Sequence, residues 1–304
     1  MSRPTKLPGY APTLMAYHRA FAEELRATVA GLPLRPGDRV LDLACGDGVY
    51  SRWLAEPIGE SGTVLAVDRS PAFLELAKQG MDADSLADRV GFARADLPHL
   101  PITDNAFDLV WCAQSLYSLP DPVEALRRME RAARPGGIVA VLENDEFHHV
   151  LLPWPVEVEL ALRRAELAAL IERSDQPRKF YIGRHLRRVF RAAGLVDCRH
   201  RTWTIDRQAP LGPDDRAFFE GYLQDLRQKV EPHLEPEIRD EFARLADPKS
   251  DAYLLDSPDF TVTCLNHIAW CVKPGTDQQA KAGSRTRPAV RREATPSGFA
   301  ELGD

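Results

Sequence analysis

Residues 40 to 48 read Val40-Leu41-Asp42-Leu43-Ala44-Cys45-Gly46-Asp47-Gly48, an apolar run that meets an acidic residue and then a glycine-rich turn. A second apolar run, Val64-Leu65-Ala66-Val67, ends in Asp68, twenty residues past Gly48. Glycine lets the backbone approach a ligand with no Cβ in the way, and a carboxylate at the next strand end accepts both hydrogen bonds from a ribose diol. The pairing points to an adenosyl cofactor.

A nicotinamide dinucleotide would call for three glycines, G-x-G-x-x-G, so that a pyrophosphate sits on the helix N-terminus. Gly46, Gly48 and Ser51 occupy that frame, and Asp42 and Asp47 bring two negative charges to where a diphosphate would lie. A cationic ligand with an ammonium and a sulfonium, S-adenosylmethionine, suits the acidic strand end better. Taken singly, Gly46-x-Gly48 reads as a tight turn and Asp42 or Asp96 as a cap. Their order and spacing decide otherwise.

The segment resembles motif I of the class I S-adenosylmethionine-dependent methyltransferases, of the type 11-like, small-molecule branch: an acidic residue, x, G, x, G, x, G, with Ala44 in place of the first glycine. The pattern continues in order. Asp68 matches the ribose-binding acid, Ala95-Asp96-Leu97 the adenine segment, and Phe107-Asp108-Leu109-Val110 the fourth strand. Leu116-Tyr117-Ser118-Leu119-Pro120-Asp121 resembles the L-h-H-L-x-D turn, and Ala133-Arg134-Pro135-Gly136-Gly137 the K-P-G-G turn before strand five. The likeness covers residues 38 to 143. It implies an α/β fold with a Rossmann-like, doubly wound, seven-stranded sheet whose strands six and seven are antiparallel. S-adenosyl-L-methionine would be the cofactor and S-adenosyl-L-homocysteine its product.

The same resemblance implies that Asp42 and the backbone from Ala44 through Cys45 and Gly46 to Gly48 hold the methionine end, Asp68 the ribose and Asp96 the adenine amine. Tyr17, Arg69, Ala95, Leu97 and Cys112 join them around the cofactor, with Gln114 and Tyr117 between cofactor and acceptor. Two departures stand out. Ala44 carries a Cβ, which costs little if its φ is negative, and Tyr117-Ser118 replaces a commoner histidine pair, so no histidine role carries over there.

The 304 residues carry a net charge of -6 with 44% hydrophobic content, enough for a sizeable core. Lys and Arg form no compact run before the C-terminal tail; Arg127-Arg128 and Arg187-Arg188 read as solvated faces. Nucleic acid is therefore not an expected partner. No apolar stretch approaches the ~20 residues that cross a bilayer, and Met1 to Tyr10 lacks a secretory pattern, so neither membrane nor export is expected and the cytoplasm is the expected compartment. Five cysteines without C-x-x-C predict neither a disulfide framework nor a zinc site; Cys264 and Cys271, seven apart on a strand, fall on opposite faces as core residues.

A helix is predicted from about Pro12 to Val29, then strands alternating with helices through Leu142. Val156, Leu160, Leu167, Leu170 and Ile171 predict the apolar face of a helix after Pro155, followed by a helix from Gly183 to Ala193. Leu195 to Ile205 and Phe260 to Val272 read as strands six and seven, separated by helices at Pro213 to Val230 and Pro236 to Leu245. The organisation is a helical cap over 1–37, a cofactor core over 38–143 and the rest of the sheet over 144–272. Helical lid insertions occupy 144–193 and 206–259, and the polar, aperiodic stretch 273–304 is expected to be disordered.

Methyl transfer is an in-line displacement at a carbon the sulfonium already activates, so the protein aligns reactants and excludes water. A hydroxyl or amine acceptor gains from a base, for which His148 and His149 after strand five are the candidates, with Glu143, Asp145 and Glu146 beside them. Phe147, Trp154, Tyr181, Phe218 and Tyr222 are the expected acceptor-binding residues, since apolar walls with few polar groups suit a small organic metabolite. Transfer to O, N or C remains open. The alternatives are an RNA or protein methyltransferase, disfavoured by the acidic balance, and a protein of this fold that binds the cofactor for another reaction.

Overall fold

Runs of Val, Leu, Ile and Ala that are apolar on both alternate positions must be covered on both faces, which is the condition for a parallel sheet. Four such runs form β1 (Arg39–Leu43), β2 (Thr63–Asp68), β4 (Phe107–Ala113) and β5 (Ala133–Glu143), and the less buried β3 (Val90–Arg94) adds the edge. The computed structural model describes residues 6–82, 86–96, 103–145, 147–174, 180–195 and 197–275. In it the five strands pair in parallel in the order β3-β2-β1-β4-β5. β8 (Thr261–Val272) runs antiparallel to β5, and β7 (Arg199–Gln208) pairs antiparallel with β8. A two-residue strand, β6 (Val150–Leu151), also bonds to β8 and makes the expected seven-stranded sheet eight-stranded.

Each face has its own helices. One carries α3 (Val49–Ala55), α4 (Pro71–Asp82) and the N-terminal helices; α5 (Pro122–Ala132) and α7 (Ile182–Ala192) cover the other. Asp121 starts α5 by accepting a hydrogen bond from the Glu124 amide at 2.9 Å, with proline next in the first turn. The single N-terminal helix expected from periodicity is broken in two, α1 (Ala11–Ala20) and α2 (Ala22–Ala30). Phe21 leaves helical geometry at φ -117 and ψ 22, and its buried ring meets Phe218 edge-on at 5.1 Å. The break exposes the Ala20 carbonyl, which accepts from Arg207 Nη2 at 3.0 Å. On α8 (Pro213–Val230), Asp225 accepts from Thr13 Oγ1 at 2.9 Å and joins the first helix to the second insertion.

Four expectations need correction. In α6 (Val156–Arg173) the predicted apolar face mostly points to solvent, with Val156 62% and Ile171 56% exposed. The buried face is Val158, Leu162, Ala165, Ala169 and Leu170, whose small alanines allow close approach, and Glu166 is buried there against Arg163 at 2.6 Å. Both stripes have helical spacing, so periodicity alone could not choose between them. The strand predicted from Leu195 begins at Arg199 and runs to Gln208. Its register sets Cys198 opposite Cys271, with Cα atoms 4.4 Å apart, and the two form a disulfide that odd cysteine number and absent C-x-x-C gave no reason to expect. Cys264 and Cys271 do lie in the apolar clusters of opposite faces.

Lys273, expected to open a disordered tail, belongs to the folded body. Its buried Nζ donates to Asn105 Oδ1 and the Glu130 carbonyl at 2.9 Å and to the Ala133 carbonyl at 3.0 Å, closing the C-terminus of α5. Residues 276–304 of the expected tail lie outside the described residues. Among the described residues no helix is long and apolar enough to cross a membrane. Removing the Lys273 ammonium strands several buried acceptors, so Lys273→Ala should lower unfolding free energy by about 2 kcal/mol, read by urea titration.

Candidate functional site

The chain leaves β1 through three left-handed residues, Ala44 at φ 57, Gly46 at φ 54 and Gly48 at φ 79, before α3 begins. At Gly48 a Cβ would also stand 2.8 Å from the Ala77 Cβ of α4, so sterics as well as φ require glycine. The condition under which the Ala44 Cβ would cost little, a negative φ, is not met. An L-residue in that region carries about 1–2 kcal/mol of strain. Cys45 is buried beside it.

Asp42 is 1% exposed and accepts a 2.5 Å hydrogen bond from Ser51 Oγ. Its carboxyl is thus held inside the protein rather than presented at the surface of the turn, as the direct-contact reading had it. Burial pushes it up to about 7; Ser51 pulls it down, while Asp68 and Asp47 raise it further. The residue that breaks the dinucleotide frame, Ser51, is this carboxyl's partner.

Asp68, also buried, uses both oxygens on backbone: Oδ2 accepts from the Gly46 amide at 3.0 Å and Oδ1 from the Ser70 amide at 2.7 Å. Each oxygen keeps a free lone pair. Beside it opens a cleft of about 570 Å³ lined by Arg69, Ser70, Arg94, Ala95 and Asp96. Leu97 lies outside the described residues. Cys112, expected at a strand end with the site, is instead fully buried one residue inside β4, in the apolar cluster of the opposite face.

Past β4 and β5 a group of buried polar side chains collects beneath α1. Tyr17 donates from its hydroxyl to Asn266 Oδ1 of β8 at 2.7 Å, and the Asn144 and Gln114 amides hydrogen-bond toward the same hydroxyl. Burial drives Tyr17 well above its ordinary pKa. Gln114 Oε1, Asn144 Oδ1 and Asn266 Nδ2 remain buried without partners. Next to Tyr17, His18 Nδ1 stands 2.9 Å from Asp47 Oδ2. The His18 ring meets Tyr50 edge-on at 5.3 Å, and Tyr50 lies 5.6 Å from Trp111. His18 Nε2, Tyr50 OH and Trp111 Nε1 are likewise buried and unpartnered.

Glu143, fully buried at the end of β5, accepts from the Leu116 amide at 2.5 Å and the Ser115 amide at 3.0 Å, and burial pushes it up to about 8. It fixes the turn carrying Tyr117, whose half-buried ring lies 6.0 Å from Phe180. His148 and His149 do follow β5, and both lie against the expected neighbour Asp145, with His148 Nδ1 4.0 Å from Asp145 Oδ1. His148 Nδ1 lies 3.0 Å from Arg184 Nη2, and Arg184 is ion-paired to buried Asp145. Burial and the cations of Arg163 and Arg184 hold His148 below the ordinary histidine value. His149 Nδ1 lies 3.2 Å from the Asp145 carbonyl, its ring meets Tyr222 edge-on at 5.4 Å, and its own carbonyl accepts from Leu265.

The expected acceptor-binding aromatics divide. Phe218 and Tyr222 pack beside Tyr17, next to the polar group. Phe147 stacks on Tyr181 at 4.5 Å, and Trp154 packs on Phe242 of α9 (Pro236–Ala246) at 5.5 Å. Sequence reasoning missed His18, Asn144 and Asn266. Only the position of His18, next to Tyr17 on the capping helix, gave any signal.

Residues 41–141 match the family model described as a methyltransferase domain. Methyltransferase GfsG of Streptomyces halstedii is 38% identical over 112 residues, 37% of this chain and 40% of that protein. The demethylmenaquinone methyltransferase of Lactiplantibacillus plantarum is 37% identical over 121 residues, 40% of this chain and 51% of that protein. These matches span about half the length of the curated relatives or less. Among solved structures, YcgJ protein from Bacillus subtilis has TM-score 0.53 at 17% identity, covering 83% of this chain and 99% of that one. A putative methyltransferase from Bacillus halodurans has TM-score 0.52 at 16% identity, covering 82% and 98%. Likeness at this identity shows the fold. Over residues 41–141 the chain is thus similar to methyltransferase domains, and the whole folded body shares the fold of these structures.

Two outcomes follow from the turn. Ala44→Gly should relieve left-handed strain and raise unfolding free energy by up to about 1 kcal/mol after glycine's own entropy cost, measured by urea titration. Asp42 keeps its proton in the folded state up to about pH 7, whereas the unfolded chain loses it near 3.8. Unfolding in that window releases a proton, so this carboxyl makes stability fall as pH rises, with the loss complete above 7. Asp42→Asn should flatten that slope and be the more stable form at pH 8 in matched unfolding curves.

Proposed function

We propose that the protein binds S-adenosyl-L-methionine and transfers its methyl group to a small organic molecule, releasing S-adenosyl-L-homocysteine. The observation that carries this reading is the Asp68 carboxylate, fixed at the end of β2 by the Gly46 and Ser70 amides, next in sequence to Arg69 and Ser70 of the cleft wall. In doubly wound sheets that crevice is the ligand site. The donor set fits the cofactor chemically. Asp68 has two lone pairs for a ribose diol, and Ala95 and Asp96 line the adjoining cleft for a base. The unpartnered oxygens of Gln114 and Asn144 are neutral acceptors suited to an ammonium.

Bound there, the cofactor supplies a methyl carbon activated by a sulfonium. The chain's part is to orient and enclose. Gly46 has no Cβ, which lets the backbone of the left-handed turn come close to the ligand. Glu143 holds the turn after β4 in place through two backbone amides. Helix α1 lies over Gly46, with Leu14 Cδ2 the nearest atom to where a Cβ would stand, and α8 backs it, which excludes water from the reacting centre. The insertions 144–193 and 206–259 serve as the cover over the acceptor.

The relatives named as demethylmenaquinone and 2-phytyl-1,4-naphtoquinone methyltransferases support a small hydroxylated ring system as the acceptor class to test. The net charge of -6 weighs against RNA. Calorimetry should show binding of S-adenosylmethionine and S-adenosylhomocysteine and none of NAD. Asp68→Ala should weaken both by about tenfold through lost ribose hydrogen bonds. Unchanged affinity in a folded Asp68→Ala protein would remove the assignment, and bound cofactor with no labelled methyl in any product would favour another reaction in the same fold.

A further inference from the structure

An unpartnered buried donor or acceptor costs about 1–3 kcal/mol, so a cluster of them marks a place where something else supplies the partner. Around α1 six such atoms come from four elements, α1, α3, β4 and β8, and from the turns after β4 and β5: His18 Nε2, Tyr50 OH, Trp111 Nε1, Gln114 Oε1, Asn144 Oδ1 and Asn266 Nδ2. The rings connect them, Trp111 to Tyr50 to His18 to Tyr17, with centroid separations of 5.6, 5.3 and 5.8 Å, and Tyr17 then reaches Asn266. The group mixes donors and acceptors; the Asp47 carboxylate is taken by His18, and the neighbouring Glu143 carboxyl, whose Oε2 is also unpartnered, is pushed up to about 8 by burial and keeps its proton at neutral pH. Such a set recognises a neutral molecule bearing hydroxyl or carbonyl groups, held among aromatic walls.

His18 differs from the rest. It is 6% exposed, and its Nδ1 faces a carboxylate at 2.9 Å, which fixes the proton on Nδ1 and leaves Nε2 as a lone pair without a partner. A base oriented by a carboxylate through its other nitrogen is the arrangement that proton abstraction needs. His148 and His149, by contrast, are engaged with Arg184 and with Asp145 and Tyr222.

We propose that this cluster forms the acceptor site, that it takes a compact neutral phenol or enol, and that His18, oriented by Asp47, accepts the acceptor's proton. The inference rests on the methyl-transfer reading above. The O–H bond breaks with its proton passing to His18 Nε2, and the electron pair left on the acceptor, on oxygen or its conjugated carbon, forms the bond to the methyl carbon. The carbon–sulfur pair returns to sulfur, so the sulfonium's positive charge ends on the imidazolium, which later yields its proton to water. Tyr17 and Asn266 hold the acceptor's polar edge, while Gln114 and Asn144 face the cofactor's ammonium.

The test uses α-naphthol as the probe and the full chain loaded with S-adenosylhomocysteine. Calorimetry should show binding, and nitrogen NMR of histidine-labelled protein should show His18 protonated on Nδ1, with its Nε2 resonance moving as α-naphthol is added. His18→Gln and Asn266→Ala should each weaken α-naphthol binding about tenfold while His18→Gln keeps S-adenosylhomocysteine affinity, which also reports that it is folded. Asp47→Asn should abolish the Nδ1 preference, a change read without any ligand for the cluster. Absence of α-naphthol binding to the loaded wild type, an unmoved Nε2 resonance, or unchanged binding in both variants would overturn the proposal. Failure of S-adenosylhomocysteine itself to bind would overturn the cofactor reading and this one with it, whereas normal cofactor binding with any of the other failures leaves that reading standing.

Discussion

One carboxylate spans the two strand ends on which the site is built. Asp68, the last residue of β2, accepts from Gly46 in the turn after β1 and from Ser70 at the entry to α4. The turn after β1 has to follow a left-handed path to place the Gly46 amide there, and that path in turn needs Gly48 to pass close to Ala77. A buried carboxylate with charge-assisted hydrogen bonds to backbone is a firm anchor. The same geometry leaves both oxygens able to accept once more, so in the proposed reading the anchor and the ligand contact are one group. Asp42 could not serve in this way, since it lies deeper in the same face and keeps its proton to near neutrality.

The cofactor half was legible because its residues are contiguous and their demands are local. A strand end, a positive φ and a carboxylate one strand away leave marks within about thirty residues of sequence. Even so, the letters hid part of the physics. Ala44 gives no sign that it sits at φ 57, and Ser51 reads as a missing glycine until its hydroxyl is seen on Asp42. The insertions were legible as helices and not as packing. In α6 two stripes have helical spacing, and only the bulk of the neighbouring elements selects the one with alanines. The Cys198 to Cys271 bridge depends on a β7–β8 register that no local pattern states. Asn266 and His18 are 248 positions apart by their numbers, and no spacing rule joins them.

The cover over the site is assembled from opposite ends of the chain. Helix α1 is too short to be stable in isolation, so its position is set by Thr13 on Asp225, by the Phe21 and Phe218 rings, and by Arg207 at the Ala20 carbonyl. Arg207 also pairs with Glu24 and Asp215, each at 2.8 Å. It therefore ties the broken N-terminal helices to β7 and α8 together. The break at Phe21 makes this possible, because a continuous helix would have no spare carbonyl to offer.

Lys273 settles which end of the sheet the chain departs from. Because β8 runs antiparallel to β5, Val272 pairs with Ile138 toward the start of β5, while Glu143 stands at its finish, on the rim where the parallel strands β1, β2 and β4 also end. Five residues of strand separate the two, about 17 Å at the usual rise. Anything joined after Lys273, whether an affinity handle, a fluorescent fusion or a tether to a solid support, has its point of attachment on the far rim of the sheet from the reacting groups.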